Sequence, residues 1–247
     1  MEYLTDYSDC RLKGGCVFCG GPEETRDHVP SRALLDSPFP DNLPVVPACW
    51  SCNNGFSRDE EYLVCLVEAA VVGSADPSKI RRERVAKILR RSPKLRAAID
   101  EGRTTGCGVI QFTADTERVR NVILKLARGH AYYELGRPVR TEPTAMAFWP
   151  LHQMEESERD SFDAPHLPEM YSEVGSRGLQ RVQVVQMTLQ GPGGESRVAA
   201  FLINDWIDVQ DGRYRYLAID ECNRLDIRLV IGEYLAAQVL WEDTWGV

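Results

Sequence analysis

Cys16-Val17-Phe18-Cys19, Arg26-Asp27-His28-Val29-Pro30, Asp41-Asn42-Leu43 and Cys49-Trp50-Ser51-Cys52-Asn53 follow one another in a single short stretch of the chain. Each C-x-x-C pair forms a tight knuckle that presents two sulfurs. Two such pairs, separated here by 29 residues, supply four thiolates to a tetrahedral structural zinc. A reducing compartment favours metal binding over bridging for cysteines so spaced. A bare zinc ribbon without catalysis is the commoner outcome of this pattern, so the cysteines alone assign no chemistry.

The text between the pairs carries more. Asp27-His28-Val29 has strand character and runs into Pro30, Asn42-Leu43-Pro44-Val45-Val46 leads a second strand into Cys49, and Asn53 opens a helix. Over roughly residues 13–60 this resembles the HNH endonuclease family. That family's fold is a ββα-metal element in a treble-clef zinc module, and its zinc-stapled members read C-x-x-C, Asp/His-His-Val/Ile, Asn-Leu, C-x-x-C-His/Asn in this order. The resemblance implies that His28 is the general base, since a neutral imidazole takes a proton from water near neutral pH. It implies that Asp27 and Asn53 hold a catalytic divalent cation such as Mg2+ or Mn2+, with hard oxygen donors. Asn42 matches the asparagine that holds the hairpin and orients the base. Cys16, Cys19, Cys49 and Cys52 would keep a closed, catalytically silent zinc.

Two positions depart from the family pattern. The third metal ligand found in many members is replaced by Ser57, which leaves Glu60, Glu61 or water to complete the shell. For both glutamates, charge compensation at a helix N-terminus is the favoured reading. The basic residue that often follows C-x-x-C-Asn is displaced, and Arg58 stands in for it.

Outward from this module, the expected fold class is α+β, divided as 1–60 (HNH module), 61–108 (helical and basic) and 109–247 (an α+β domain of unassigned role). Apolar spacing predicts helices over Asp59–Val72, Pro77–Arg91, Lys94–Glu101 and Asp115–Leu135, with Gly73, Gly102 and Gly136 as stops. Val109–Phe112, Ala145–Trp149, Val182–Leu189, Val198–Ile203, Trp206–Val209, Tyr214–Ile219 and Leu225–Ile231 read as strands, mostly of an antiparallel sheet. Cys65 reads as a small core residue, and Cys10, Cys107 and Cys222 are scattered. His130, His152 and His166 read as structural. Trp206, Tyr214, Tyr216, Tyr234, Trp241 and Trp245 read as core before they read as a stacking surface.

The chain has 247 residues and a net charge of −8, which argues against broad attraction to polyanions. Between residues 79 and 103, however, ten basic residues face three acidic ones, a local charge of +7. That imbalance is too one-sided for i,i+4 pairing. It makes Arg81, Arg82, Arg90 and Arg91 candidate phosphate contacts, with Arg32 and Arg58 beside the module. DNA is the expected partner; RNA stays open, because the chemistry at phosphate does not depend on base identity. Met1–Asp6 has no basic start or apolar run, so a cytoplasmic protein is expected, off the membrane. A homodimer or protein partner through the C-terminal region is a further expectation. Family habit points to restriction or antiviral defence. The rival reading, from a different class, is a noncatalytic zinc-dependent nucleic-acid-binding or adaptor protein with a decayed HNH site.

Overall fold

A short hairpin comes first: β1 (Thr25–His28) pairs antiparallel with β2 (Val45–Ala48), setting Thr25 opposite Ala48 and His28 opposite Val45. The computed structural model describes residues 4–8, 13–106, 109–169, 173–221 and 223–242. Cys10, Cys107, Cys222 and Trp245 lie outside the described residues. After β2, α1 (Trp50–Gly55) begins at Cys49, whose sulfur accepts the Cys52 N–H and caps the helix. α2 (Ser57–Val72) follows after a break at Phe56, two residues earlier than its apolar pattern predicts, and ends at Gly73. Gly73 has φ 71°, a left-handed conformation that lets its N–H reach back to Ala69 and Ala70.

The helix expected over Pro77–Arg91 starts only at Glu83 (α3, Glu83–Arg91). Asp76 accepts the Ser78 N–H and hydroxyl, both at 2.9 Å, which fixes a turn there. Arg82 is held extended by its own partners. α4 (Pro93–Glu101) ends at Gly102, and β3 (Arg103–Gly106) then pairs with β4 (Val109–Phe112).

α5 (Thr116–Leu135) starts on Asp115, which caps the Arg118 N–H, and stops at the left-handed Gly136. β5 (Ala145–Pro150), α6 (Glu156–Asp163), α7 (Arg177–Arg181), β6 (Gln183–Gln190), β7 (Ser196–Ile203), β8 (Ile207–Gln210), β9 (Tyr214–Glu221), β10 (Arg224–Ile231) and β11 (Leu235–Glu242) complete the chain. Five of these strands form an antiparallel sheet in the order β5-β11-β10-β9-β8, and β6–β7 is a separate ribbon. The fold is therefore mixed helix and sheet with a C-terminal antiparallel sheet. Among the described residues no helix is long and apolar enough to cross a membrane.

Alternation along β10 decides the layering. Leu225, Ile227, Leu229 and Ile231 belong to the main core with α5, while Val230 joins Leu151 and Phe162 on the opposite face. That main core runs without interruption from Leu34 through α2, α3 and α5 to Trp241. Cys65 lies fully inside it, and burial pushes its thiol up to about 12. Tyr214, Tyr216 and Trp241 are buried as expected, while Trp206 and Tyr234 are half-buried.

His130 is sealed against the sheet, with Nε2 2.8 Å from the Tyr214 hydroxyl and its ring stacked on Tyr216. Burial pushes its pKa down to about 3. The unfolded chain binds this proton below about 6.5 and the folded chain does not. The stability held above pH 6.5 is therefore lost as pH falls from 6.5 toward 3. Between pH 7 and pH 5 this single group should cost about 2 kcal/mol, on a one-site linkage. Urea unfolding across that window should show the loss, and His130→Gln should flatten it.

Candidate metal centre and active site

The first knuckle is shaped by backbone. The Cys16 N–H donates to Gly21 O at 2.7 Å and the Gly20 N–H to Cys16 O at 2.8 Å, while the Val17 N–H donates to Pro47 O and so ties the knuckle to β2. The Gly21 N–H points at Cys19 Sγ, 3.4 Å away. The second knuckle is the start of α1. The four sulfurs of Cys16, Cys19, Cys49 and Cys52 come within 4.8 Å of one another, and those of Cys19 and Cys49 are 3.7 Å apart. That is far beyond a disulfide and close to the ~3.8 Å edge of a tetrahedron with Zn–S bonds of about 2.3 Å. The donors therefore fit a zinc ion. Burial opposes ionisation of Cys16, but N–H groups of Cys49, Cys19 and Phe18 bring its thiol down to about 7. Burial and the neighbouring sulfurs push Cys52 up. Against the Gly21 N–H, neighbouring sulfurs also raise Cys19, so a bound cation is what would draw Cys19 and Cys52 to the thiolate form.

Period-two geometry puts Thr25 and Asp27 on one side of β1, Arg26 and His28 on the other. Asn53 donates its amide to Thr25 Oγ1 and to Arg26 O, each at 3.3 Å, so α1 lies on the Asp27 side. Because its nitrogen is committed to β1, its carbonyl oxygen is the atom left to serve a cation. Asp27 is only 7% exposed, and its Oδ2 faces a charge, the Lys125 ammonium at 2.8 Å, rather than a well-aligned hydrogen-bond donor. Burial raises its pKa, against the pull of Lys125. A buried carboxylate oxygen and an amide oxygen on one face are hard donors of the type a divalent cation takes.

His28 is half-buried at the end of β1, with Nδ1 enclosed and unpartnered. Burial first, and then the charge of Arg32, hold it below the usual histidine range, so the ring is neutral at pH 7. Asn42 lies in the turn that leads to β2, two residues before Pro44, whose carbonyl accepts the Val29 N–H at 2.9 Å. The loop carrying Asn42 thus borders His28. Ser57 is exposed at the start of α2, beyond the break at Phe56. Of the two glutamates, Glu60 turns inward to Ser31 and Lys125, and Glu61 turns outward to Arg91.

Lys125 is the site residue that the sequence pattern did not disclose. It reads as one more position on a long amphipathic helix, and the only signal was a charge flanked by Leu124 and Leu126 on its apolar stretch. It is 2% exposed, with Nζ 2.8 Å from Asp27 Oδ2, 2.8 Å from Ser31 Oγ, bonded to Glu60, and 5.3 Å from the centre of the Phe56 ring.

The candidate phosphate contacts divide. Arg32 is exposed beside Phe39, and Arg58 is exposed on the first turn of α2. Arg81, Arg90 and Arg91 are exposed on or next to α3; Arg90 pairs with Glu83 at 3.1 Å and Arg91 with Glu61. Arg82 differs from expectation. It is 7% exposed, donates to Asp36 at 2.7 Å and to Leu35 O at 2.9 Å, and sits 3.5 Å from Glu68. Its charge is consumed inside the fold, so it leaves the surface set. Arg84, which donates to Arg32 O, and Lys87 join the surface instead, along a groove of about 430 Å3 with Ala33 and Arg91.

Comparison with protein-family models, with curated proteins and with solved structures finds no match.

Proposed function

We propose that the chain is a metal-dependent endonuclease of the HNH type, hydrolysing phosphodiester bonds in DNA. The observation that supports this most is the hairpin-and-helix arrangement in which Asn53 is bonded to the strand that carries Asp27 and His28, directly beside four clustered thiols. In this reading His28 takes the proton of the attacking water at the strand end, and Asn42 steadies the loop beside it. Asp27 and Asn53 hold a divalent cation, which when bound neutralises the phosphate and stabilises the leaving oxygen. The test is nicking of a supercoiled plasmid in Mg2+ or Mn2+, with structured RNA in parallel. Cleavage that depends on metal and on His28 supports the reading, and none from zinc-loaded chain opposes it.

A second reading, a noncatalytic zinc-stapled nucleic-acid-binding protein, draws on one observation: Lys125 already compensates Asp27. Retained DNA binding with no cleavage in any divalent metal would favour it.

Under either reading the DNA track runs from Arg32 along α3. Replacing Arg81, Arg90 and Arg91 with alanine should weaken DNA binding and lower its log–log salt slope by about 0.9 for each phosphate no longer neutralised. Arg82→Ala should behave differently, because it takes one of two guanidinium partners from Asp36 and Glu68, which keep Arg213, and leaves Leu35 O without its donor: stability falls by roughly 1–3 kcal/mol, with an unchanged salt slope. Salt-dependent anisotropy and urea melts separate the two classes.

A further inference from the structure

The ammonium of Lys125 stands where three oxygens converge: Asp27 Oδ2, Ser31 Oγ and Glu60 Oε1. Carboxylates from two separate elements, β1 and α2, meet at one buried point and hold a cation supplied by a third element, α5. The helix is shaped to deliver it. One turn further along the same face of α5 is Gly129, where a Cβ would come within 2.5 Å of Val29. Only a glycine allows the helix backbone so near the end of β1, and Tyr133, the next residue on that face, packs into the cysteine module.

We propose that Lys125 is a resident cation that gates metal binding at Asp27. This rests on the nuclease reading of that site. The ammonium caps Oδ2 and shares Glu60, so a divalent ion is left with the other oxygen of Asp27 and the amide oxygen of Asn53. Two protein donors beside a fixed positive charge bind such an ion weakly. An oxygen from the substrate phosphate then completes the shell, and metal loading follows substrate binding. Lys125 acts through Asp27 and is a positioning residue.

Loss of a gating lysine shifts metal affinity in the direction opposite to loss of a merely structural one. In Lys125→Met, Asp27 and Glu60 become a two-carboxylate site with no ammonium between them. Without DNA, Mn2+ should then bind roughly tenfold or more tightly than to the unaltered chain, because a unit charge a few ångströms from a divalent ion has been removed. Lys125→Gln, which keeps a donor for the carboxylates, should tighten binding in the same direction and serves if the methionine variant does not fold. The measurement is the free-Mn2+ electron paramagnetic resonance signal during titration of the zinc-loaded full chain, with folding checked by circular dichroism and zinc content. Adding Asp27→Asn to either variant should abolish the gain. Equal or weaker Mn2+ binding in folded Lys125 variants, with the remaining binding still lost on Asp27→Asn, overturns the gate but leaves the metal site standing. Mn2+ binding indifferent to Asp27→Asn in every background overturns the site itself, and the gate with it.

Discussion

Cys52→Ser yields a chain that binds no stoichiometric zinc and whose residues 13–28 and 44–56 are cut by protease, while the stretch around Leu34 and Leu35, buried in the main core, and the region from α2 onward survive. The expected loss is large because little else holds the module. Among the described residues its only sheet is two strands of four residues, far short of independent stability. Its own apolar cluster is small: Val17, Phe18, Val29, Val46 and Ala48, leaning on Tyr133. A structural zinc binds with an apparent free energy on the order of 10–16 kcal/mol, comparable to the whole stability of an ordinary domain. The main core joining α2, α3, α5 and the sheet shares no buried residue with that cluster, so the damage stays local. Limited proteolysis with mass spectrometry, alongside metal content, reads both halves of the prediction. A zinc-free chain with its module still protected would show that zinc does not hold the module together.

The second large effect falls on chemistry rather than folding. His28→Ala should lower cleavage by about 10²–10⁴-fold, the usual worth of a general base, with zinc content and melting temperature close to those of the unaltered chain. Stability should hold because the ring is half-buried, and the Pro44 carbonyl it reaches keeps the Val29 N–H after truncation. His130→Gln is the natural control: that histidine is walled off behind Tyr214 and Tyr216, and its loss should leave cleavage intact while altering acid stability. Equal cleavage by His28→Ala and the unaltered chain would require another base.

What the residues disclosed follows the range over which each signal acts. Knuckle spacing, helix stops at glycine and strand alternation are local, and the cysteine cluster, the stops at Gly73 and Gly136 and the alternation on β10 could be read directly. β11 escaped because Ala236 and Ala237 are poor strand formers, held in the sheet by pairing with β10 and β5. α6 escaped because its eight residues bury only Phe162, and its mark is the reciprocal cap between Glu155 and Glu158. At the site, Asp27 and Asn53 were named through the family resemblance, and the structure bonds the Asn53 amide to the strand that carries Asp27. Lys125 and Arg82 were misjudged for one shared reason: a cation in the chain does not say whether its carboxylates lie in solvent or across the fold. Asp27 is 98 positions from Lys125, and Asp36 is 46 from Arg82. Glu60 was weighed as a helix-end charge, and although it sits in the first turn of α2, its carboxylate is aimed at Ser31 and Lys125.

The most direct test of a two-metal module is anomalous diffraction from crystals of the zinc-loaded chain grown with Mn2+ and a bound DNA duplex. Two peaks are expected, zinc among the four sulfurs and manganese between Asp27 and Asn53 with a phosphate oxygen in its shell. Zinc alone, with DNA seated away from β1 and Lys125 still closed on Asp27, would contradict the nuclease site.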